Sequence, residues 1–263
     1  MHIFIPTMRR PRLQYTLNEL REESPYPITL VIPQNELADY HGVHSSIITP
    51  PEDVSGIAAT RQWIMEQAPE ERVLMMDDDL TFAVRRTDDP TRFREPNTGE
   101  IRGMLEGVEV LLCGYAHVGI ATREGANRNT DSLLSCTRAP RVIGYQRSIF
   151  FKEGVDFRNS TVMDDFEATL HLLTRGYTNC ILNSYVQNQR GSGTAGGAST
   201  YRTLEMHRAA AEKLQSRYPQ FVKTVEKTTK TAWGGATRTD VIIQWKKALQ
   251  HGLAVRSARL LDQ

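Results

Sequence analysis

A short apolar run, Val73-Leu74-Met75-Met76, ends abruptly in three carboxylates, Asp77-Asp78-Asp79. Four apolar residues bounded by charge predict a buried strand of an α/β sheet. Three adjacent aspartates at its carboxyl end repel one another and destabilise the chain unless positive charge meets them. Oxygen-rich clusters of this kind suit Mg²⁺ or Mn²⁺, which take a few carboxylates and fill their remaining positions with phosphate oxygens. Ligands of open α/β sheets bind at this same carboxyl edge. Position and chemistry thus agree on a metal–diphosphate site, although the triplet taken alone also fits a solvated turn.

The residues around the triplet extend the α/β pattern. His2–Pro6, residues 28–33, 45–49 and 73–76 read as strands, and residues 11–22 and 55–67 as helices. Short strands separated by helices predict βαβ units and a mostly parallel, Rossmann-type sheet flanked by helices. Further along, residues 80–86, His117–Thr122, 142–151 and 178–186 read as strands. Residues 101–115, 164–174 and 201–218 read as helices, with Gly176 as a C-cap of the second. Residues 88–97 and 123–129 read as loops, and 191–197 is glycine-rich. The expected division is a core over residues 1–190, then a glycine-rich loop and helical extension over 191–263, packed on it.

Composition narrows the partners. A net charge of +1 gives no strong overall field for nucleic acid, leaving local basic patches. The tail holds several lysines together with Trp233 and Trp245, which fit either core packing or contact with nucleic acid. Cys113, Cys136 and Cys180 lie far apart, with no metal spacing, and read as reduced thiols of a cytoplasmic protein. The chain enters a strand at once, so no signal peptide is expected. No apolar run approaches the ~20 residues needed to span a bilayer, and no membrane partner is expected.

Four local patterns line up in order. They are Ile5-Pro6-Thr7-Met8-Arg9-Arg10, Gly56-Ile57-Ala58-Ala59-Thr60-Arg61, Asp77-Asp78-Asp79 and Met163-Asp164-Asp165-Phe166. The set resembles the GT-A fold glycosyltransferases, especially the inverting family 2-like group. That resemblance implies a nucleotide-sugar donor, UDP-linked, with Mn²⁺ or Mg²⁺. Pro6, Thr7 and Arg9 would border the nucleobase and ribose, and Asp39 would touch the base. Arg61 would face the diphosphate or sugar. Asp77 would sit near ribose or sugar hydroxyls, Asp78 would belong to the donor site beside it, and Asp79, with Asp77, would hold the metal. Asp165, with Asp164 beside it, would be the general base on the acceptor hydroxyl. Many members add a histidine ligand after the last core strand; here the stretch is Gln187-Asn188-Gln189-Arg190, with His207 further on.

Three later segments narrow the resemblance. Ala116-His117-Val118-Gly119-Ile120, residues 123–129 and residues 196–202 look like the phage TET-associated glycosyltransferases. That family implies an acceptor of hydroxymethylated pyrimidine in DNA, best 5-hydroxymethylcytosine, and a phage protein working in the host cytoplasm. Arg123, Asn127, Arg128, Tyr201 and Arg202 would then line the acceptor side. The sequence leaves other readings open: a glycan, protein or small-molecule acceptor, a nucleotidyltransferase, or a non-catalytic DNA-binding module. The first strand lacks the glycine-rich phosphate loop that a nucleotidyltransferase would carry.

Overall fold

The computed structural model describes residues 1–189, 197–229 and 235–261. The chain opens with β1 (His2–Pro6), α1 (Tyr15–Leu20), β2 (Ile28–Val31), β3 (Ile47–Ile48), α2 (Ile57–Gln67) and β4 (Arg72–Met76). It continues through β5 (Leu80–Arg85), β6 (Phe93–Arg94), α3 (Glu100–Gly114), β7 (His117–Thr122) and β8 (Leu133–Ser135). Then come β9 (Val142–Gln146), α4 (Arg147–Lys152), α5 (Asp164–Leu173) and β10 (Cys180–Gln189). The extension is α6 (Leu204–Arg217), β11 (Val222–Thr228), β12 (Thr237–Ile243) and α7 (Trp245–Leu261).

Among the described residues, ten strands form one sheet in the order β3-β2-β1-β4-β9-β7-β10-β5-β6, with β8 also paired to β10. The block β3-β2-β1-β4 is parallel, and so is β7 with β10. Strand β9 runs antiparallel to both its neighbours, β4 and β7. The carboxyl ends of β1, β4, β7 and β10 therefore meet at one edge.

Both faces of the sheet are covered, which explains the unbroken apolar runs. Ile3, Ile5, Leu74 and Met76 pack with Leu17, Leu20, Met104, Leu105 and Val108 of α1 and α3. The intervening Phe4, Val73 and Met75 pack with Ile64, Met65, Phe150 and Leu172 on the other face. A third cluster joins Val162, Met163, Leu170 and Leu173 to Ala211, Leu214, Phe221, Val241 and Ala248 of the extension.

Several elements differ from their sequence reading. The strand expected over 142–151 ends at Gln146, and Arg147–Lys152 is helical. The Gln146 amide donates to the Leu112 and Tyr115 carbonyls, and Phe150 turns into the core while Phe151 is exposed. The helix expected from residue 11 begins at Tyr15, and the one expected from 201 begins at Leu204. Thr203 caps the latter, its hydroxyl accepting the Met206 N–H at 3.1 Å. The extension is not all helix, since β11 and β12 form an antiparallel hairpin. Gly176 does stand just past α5 with φ +81°. Most of the glycine-rich stretch 191–197, and Trp233, lie outside the described residues.

Candidate functional site

The acidic triplet is held from below by α1. Thr16 donates its N–H to the Asp78 carbonyl at 3.1 Å and its hydroxyl to the Asp77 carbonyl at 2.5 Å. The Thr16 oxygen in turn accepts the Leu80 N–H at 2.9 Å. One threonine thus fixes the backbone on both sides of the turn.

The three carboxylates meet different partners. Asp78 accepts from the Thr7 hydroxyl and from Arg10, both at 2.6 Å. Burial pushes its pKa up to about 6, against the pull of Thr7 and Arg10 and with the push of Asp79. Asp79 is also buried, and its Oδ2 accepts from Arg10 and from the Gln189 amide, each at 3.0 Å. Among the described residues, nothing bonds Asp79 Oδ1. Asp77 is the most open, with 27% of its side chain exposed, and accepts from Arg61 at 2.8 Å. Its desolvated surroundings raise its pKa, opposed by Arg61 and also by Arg202 and Arg141.

Arg61 is a strut rather than a cleft residue. Its guanidinium joins Asp77 at 2.8 Å to Asp164 at 2.6 Å and is almost fully buried. Burial opposes its charge, but Asp164 and Asp77 outweigh that and drive its pKa further up. Arg61 does not line the cleft beside the acidic triplet, where the expectation put it against the diphosphate or the sugar. Asp164 and Asp165 occupy the first turn of α5, where the helix dipole favours anions. Asp165 accepts from Arg138 at 2.6 Å, and Arg138 stacks over the Phe166 ring at 3.9 Å. Burial raises the Asp165 pKa, but Arg138 and then Arg61 overcome this and hold it below the ordinary carboxylate range. The base candidate is therefore ionised at neutral pH.

A cleft of about 1050 Å³ opens at this edge. Pro6, Thr7, Arg9, Arg10 and Asp77 to Asp79 line it, as do Pro33 to Glu36, Pro50 and Pro51. So do Tyr201, Arg202, His207 and Arg238 of the extension. Its volume is that of a small-molecule site. Tyr201 and Arg202 thus line the cleft that holds the acidic triplet. The Tyr201 oxygen accepts the Ile57 N–H at the start of α2, at 3.0 Å. Asp39 is exposed and does not line the cleft; Glu36, on the same helical turn, does and accepts the Arg9 N–H at 2.6 Å.

Arg123, Asn127 and Arg128 are exposed beyond β7, at the same sheet edge but outside the cleft lining. Arg85 donates to the carbonyls of Ala126 and Asn129 and so holds that loop. Trp245 stacks on Phe166 in the third core cluster. Lys223, Lys227, Lys246 and Lys247 are exposed.

Arg10, Glu36 and Arg138 are among the site residues that sequence reasoning missed. Arg10 neighbours Arg9, and only the left-handed turn at Arg9, φ 57°, decides which of the two faces inward. Arg141 and Met163 share that unfavourable conformation, next to Asp77 and Asp164 respectively. Backbone strain of this kind collects at functional sites.

A metal fits the donor set in a limited way. Among the described residues, no three His, Cys, Asp or Glu side chains gather into a ready-made cage. The orphaned Asp79 Oδ1 and the open Asp77 are two hard oxygen donors beside a cleft, which suits an ion completed by phosphate and water. His207 lines the same cleft, its pKa drawn down to about 4 by burial, Arg238 and Arg202. No helix among the described residues is long and apolar enough to cross a membrane.

A family model described as TET-Associated Glycosyltransferase matches residues 1–197. Two phage proteins, from Enterobacteria phages T2 and T6, are named beta-glucosyl-HMC-alpha-glucosyl-transferase. Each is 26% identical over 196 residues, covering 69% of this chain and 68% of its own. Glucosyl-3-phosphoglycerate synthase from Mycobacterium tuberculosis, solved with Mn²⁺, UDP and phosphoglyceric acid, superposes with a TM-score of 0.52. It is 10% identical, over 92% of this chain and 86% of that one. That likeness is one of fold.

Proposed function

The chain belongs to the TET-associated glycosyltransferase family, and from that premise we propose a specific reaction. It moves a sugar from a UDP-linked donor to a hydroxyl on hydroxymethylcytosine in DNA, either the hydroxymethyl group itself or a sugar already attached to it. The names of the phage relatives support the nucleobase acceptor. The observation that carries the donor half is the cleft at the strand ends, where the acidic triplet and a set of arginines line one volume of about 1050 Å³.

The residues divide the work as follows. Pro33, Pro50 and Pro51 give the cleft an apolar wall for a base, and Glu36 and Gln34 give it polar edges. Asp79, with Asp77, would hold Mn²⁺ or Mg²⁺, which when bound neutralises charge on the leaving diphosphate. Thr7 and Arg10 clamp Asp78 and keep the turn in register. Arg61 ties Asp77 to Asp164 and thereby fixes the donor side against α5. Asp165 takes the acceptor proton as the new bond forms. Its partner Arg138 is half-exposed, so the acceptor approaches from that side. Arg123, Asn127 and Arg128 are available to phosphates or to a base drawn out of the duplex.

The test is a transfer assay with UDP-glucose, Mn²⁺ and DNA that carries hydroxymethylcytosine, glucosylated or not, read by nucleoside mass spectrometry. A hexose gain on modified DNA only is the expected result. Asp165→Asn should abolish transfer and keep UDP binding, and Asp79→Ala should abolish transfer together with any metal response. Full transfer by Asp165→Asn would remove the base from the mechanism. A product of retained anomeric configuration would replace the inverting route, in which Asp165 is the single base, with a retaining one.

A further inference from the structure

The extension contributes charge to the cleft as well as packing. Arg202 precedes α6, His207 stands in its first turn, and Arg238 comes from β12; all three line the cleft with the acidic triplet. The charge of Arg202 acts on Asp77, and both arginines help to keep His207 neutral. The cations are therefore one cluster. Arg10 is offset by Asp78 and Asp79, and Arg238 by Asp240 at 2.8 Å. Among the described residues, the buried Nε of Arg202 has no hydrogen-bond acceptor. A buried N–H without an acceptor is a free-energy cost that a ligand oxygen can relieve. Guanidinium groups match phosphate oxygens in geometry as well as charge.

We propose that Arg202, with Arg238 beside it, grips the diphosphate of the donor nucleotide, so that the extension completes the donor site. Arg202 thereby moves from the acceptor side to the donor side. The nucleoside part of this assignment rests on the nucleotide-sugar reading above; the anion grip does not. Arg10, Arg61 and Arg202 offset the three carboxylates of the turn, so an entering diphosphate meets cations as well as acids. The cluster supplies compensating charge for whatever anion enters.

Calorimetric titration of the full chain with UDP and with inorganic pyrophosphate, in EDTA and again with Mn²⁺, tests this. Arg202→Gln should weaken both by roughly tenfold to a hundredfold, the loss of one charge-assisted hydrogen bond. The KM for DNA should not change. If Arg202→Gln does not fold, Arg238→Gln carries the same test. A folded variant that binds pyrophosphate as tightly as the parent overturns the proposal, as does a parent that binds neither ligand. If pyrophosphate binds and is lost in the variant while UDP does not bind the parent, the grip stands and the uridine reading falls.

Discussion

At the scale of single residues, chemistry was easier to read than partnership. The acids of the site were visible because three carboxylates in a row, or two at a helix start, need an explanation. Arg61 was visible as a motif member, but not as a strut, because its partner Asp164 lies 103 positions away. Spacing along the chain does not encode which carboxylate a buried arginine meets. The same gap hid Arg138 and chose Arg9 over Arg10. His117 shows what burial does to a titrating residue. Its ring bonds the Gly144 carbonyl and Thr169, stacks on Tyr145 and is fully enclosed. Burial lowers its pKa from 6.5 to about 4, against the Gly144 hydrogen bond and Asp165. Between those two values the unfolded chain takes up a proton that the folded chain refuses. Stability from this residue is therefore complete above about pH 6.5 and declines as the pH falls toward 4, by up to roughly 1.4 kcal/mol per unit. His171 and His207 are lowered too and add to the slope. Urea unfolding of His117→Asn between pH 4 and 7 should give a flatter dependence than the parent. An identical slope would mean that the imidazole is not the buried neutral group described.

Among the elements, periodicity identified the strands of the first third well, because both faces of the sheet are covered and each strand is apolar throughout. It failed where an apolar run was not a strand. Ile149-Phe150-Phe151 reads as a continuation of β9, yet these residues form a short helix that buries one ring and exposes the next. The start of α6 was misread for a different reason. A polar cap, Thr203, was hidden inside a helical pattern, and the two residues before it are the ones that reach the cleft. The extension reads as helical, but neither the bounds of its last helix nor the way that helix docks is legible in the sequence. Gly252 of α7 lies against the end of α5, where an added Cβ would stand 2.2 Å from the Leu173 carbonyl oxygen and 2.4 Å from the Gly176 nitrogen. Backbone atoms cannot step aside as a side chain can. Gly252→Ala should therefore push α7 away from α5, with a loss of about 1–3 kcal/mol typical of overpacking. Thermal melting and limited proteolysis of the last helix report it. A variant as stable and as resistant as its parent would show that the two helices do not meet at this glycine.

For the molecule as a whole, the expected boundary near residue 190 separates sequence patterns more cleanly than it separates packing. The family match ends at residue 197, but the third core cluster does not respect that line. Val162, Leu170 and Leu173 of the core segment are buried against Ala211, Leu214 and Phe221 of the extension. The extension is expected to pack on the core, but which of its residues do so is not legible, since α6 carries only a thin apolar stripe. A chain ending at residue 197 would expose that half of the cluster, and burial of one such side chain is worth about 1.5–3 kcal/mol. Against a total of about 5–15 kcal/mol for a typical domain, losing several is decisive. It would also lack Arg202 and Arg238. The shortened chain should therefore be aggregated or molten, with near-UV circular dichroism lost. Were it to fold with the melting temperature of the full chain and bind UDP equally well, neither the shared core nor the arginine grip could be right. If it folded but bound UDP weakly, packing and donor recognition would have separated, and the extension's role would be the grip alone.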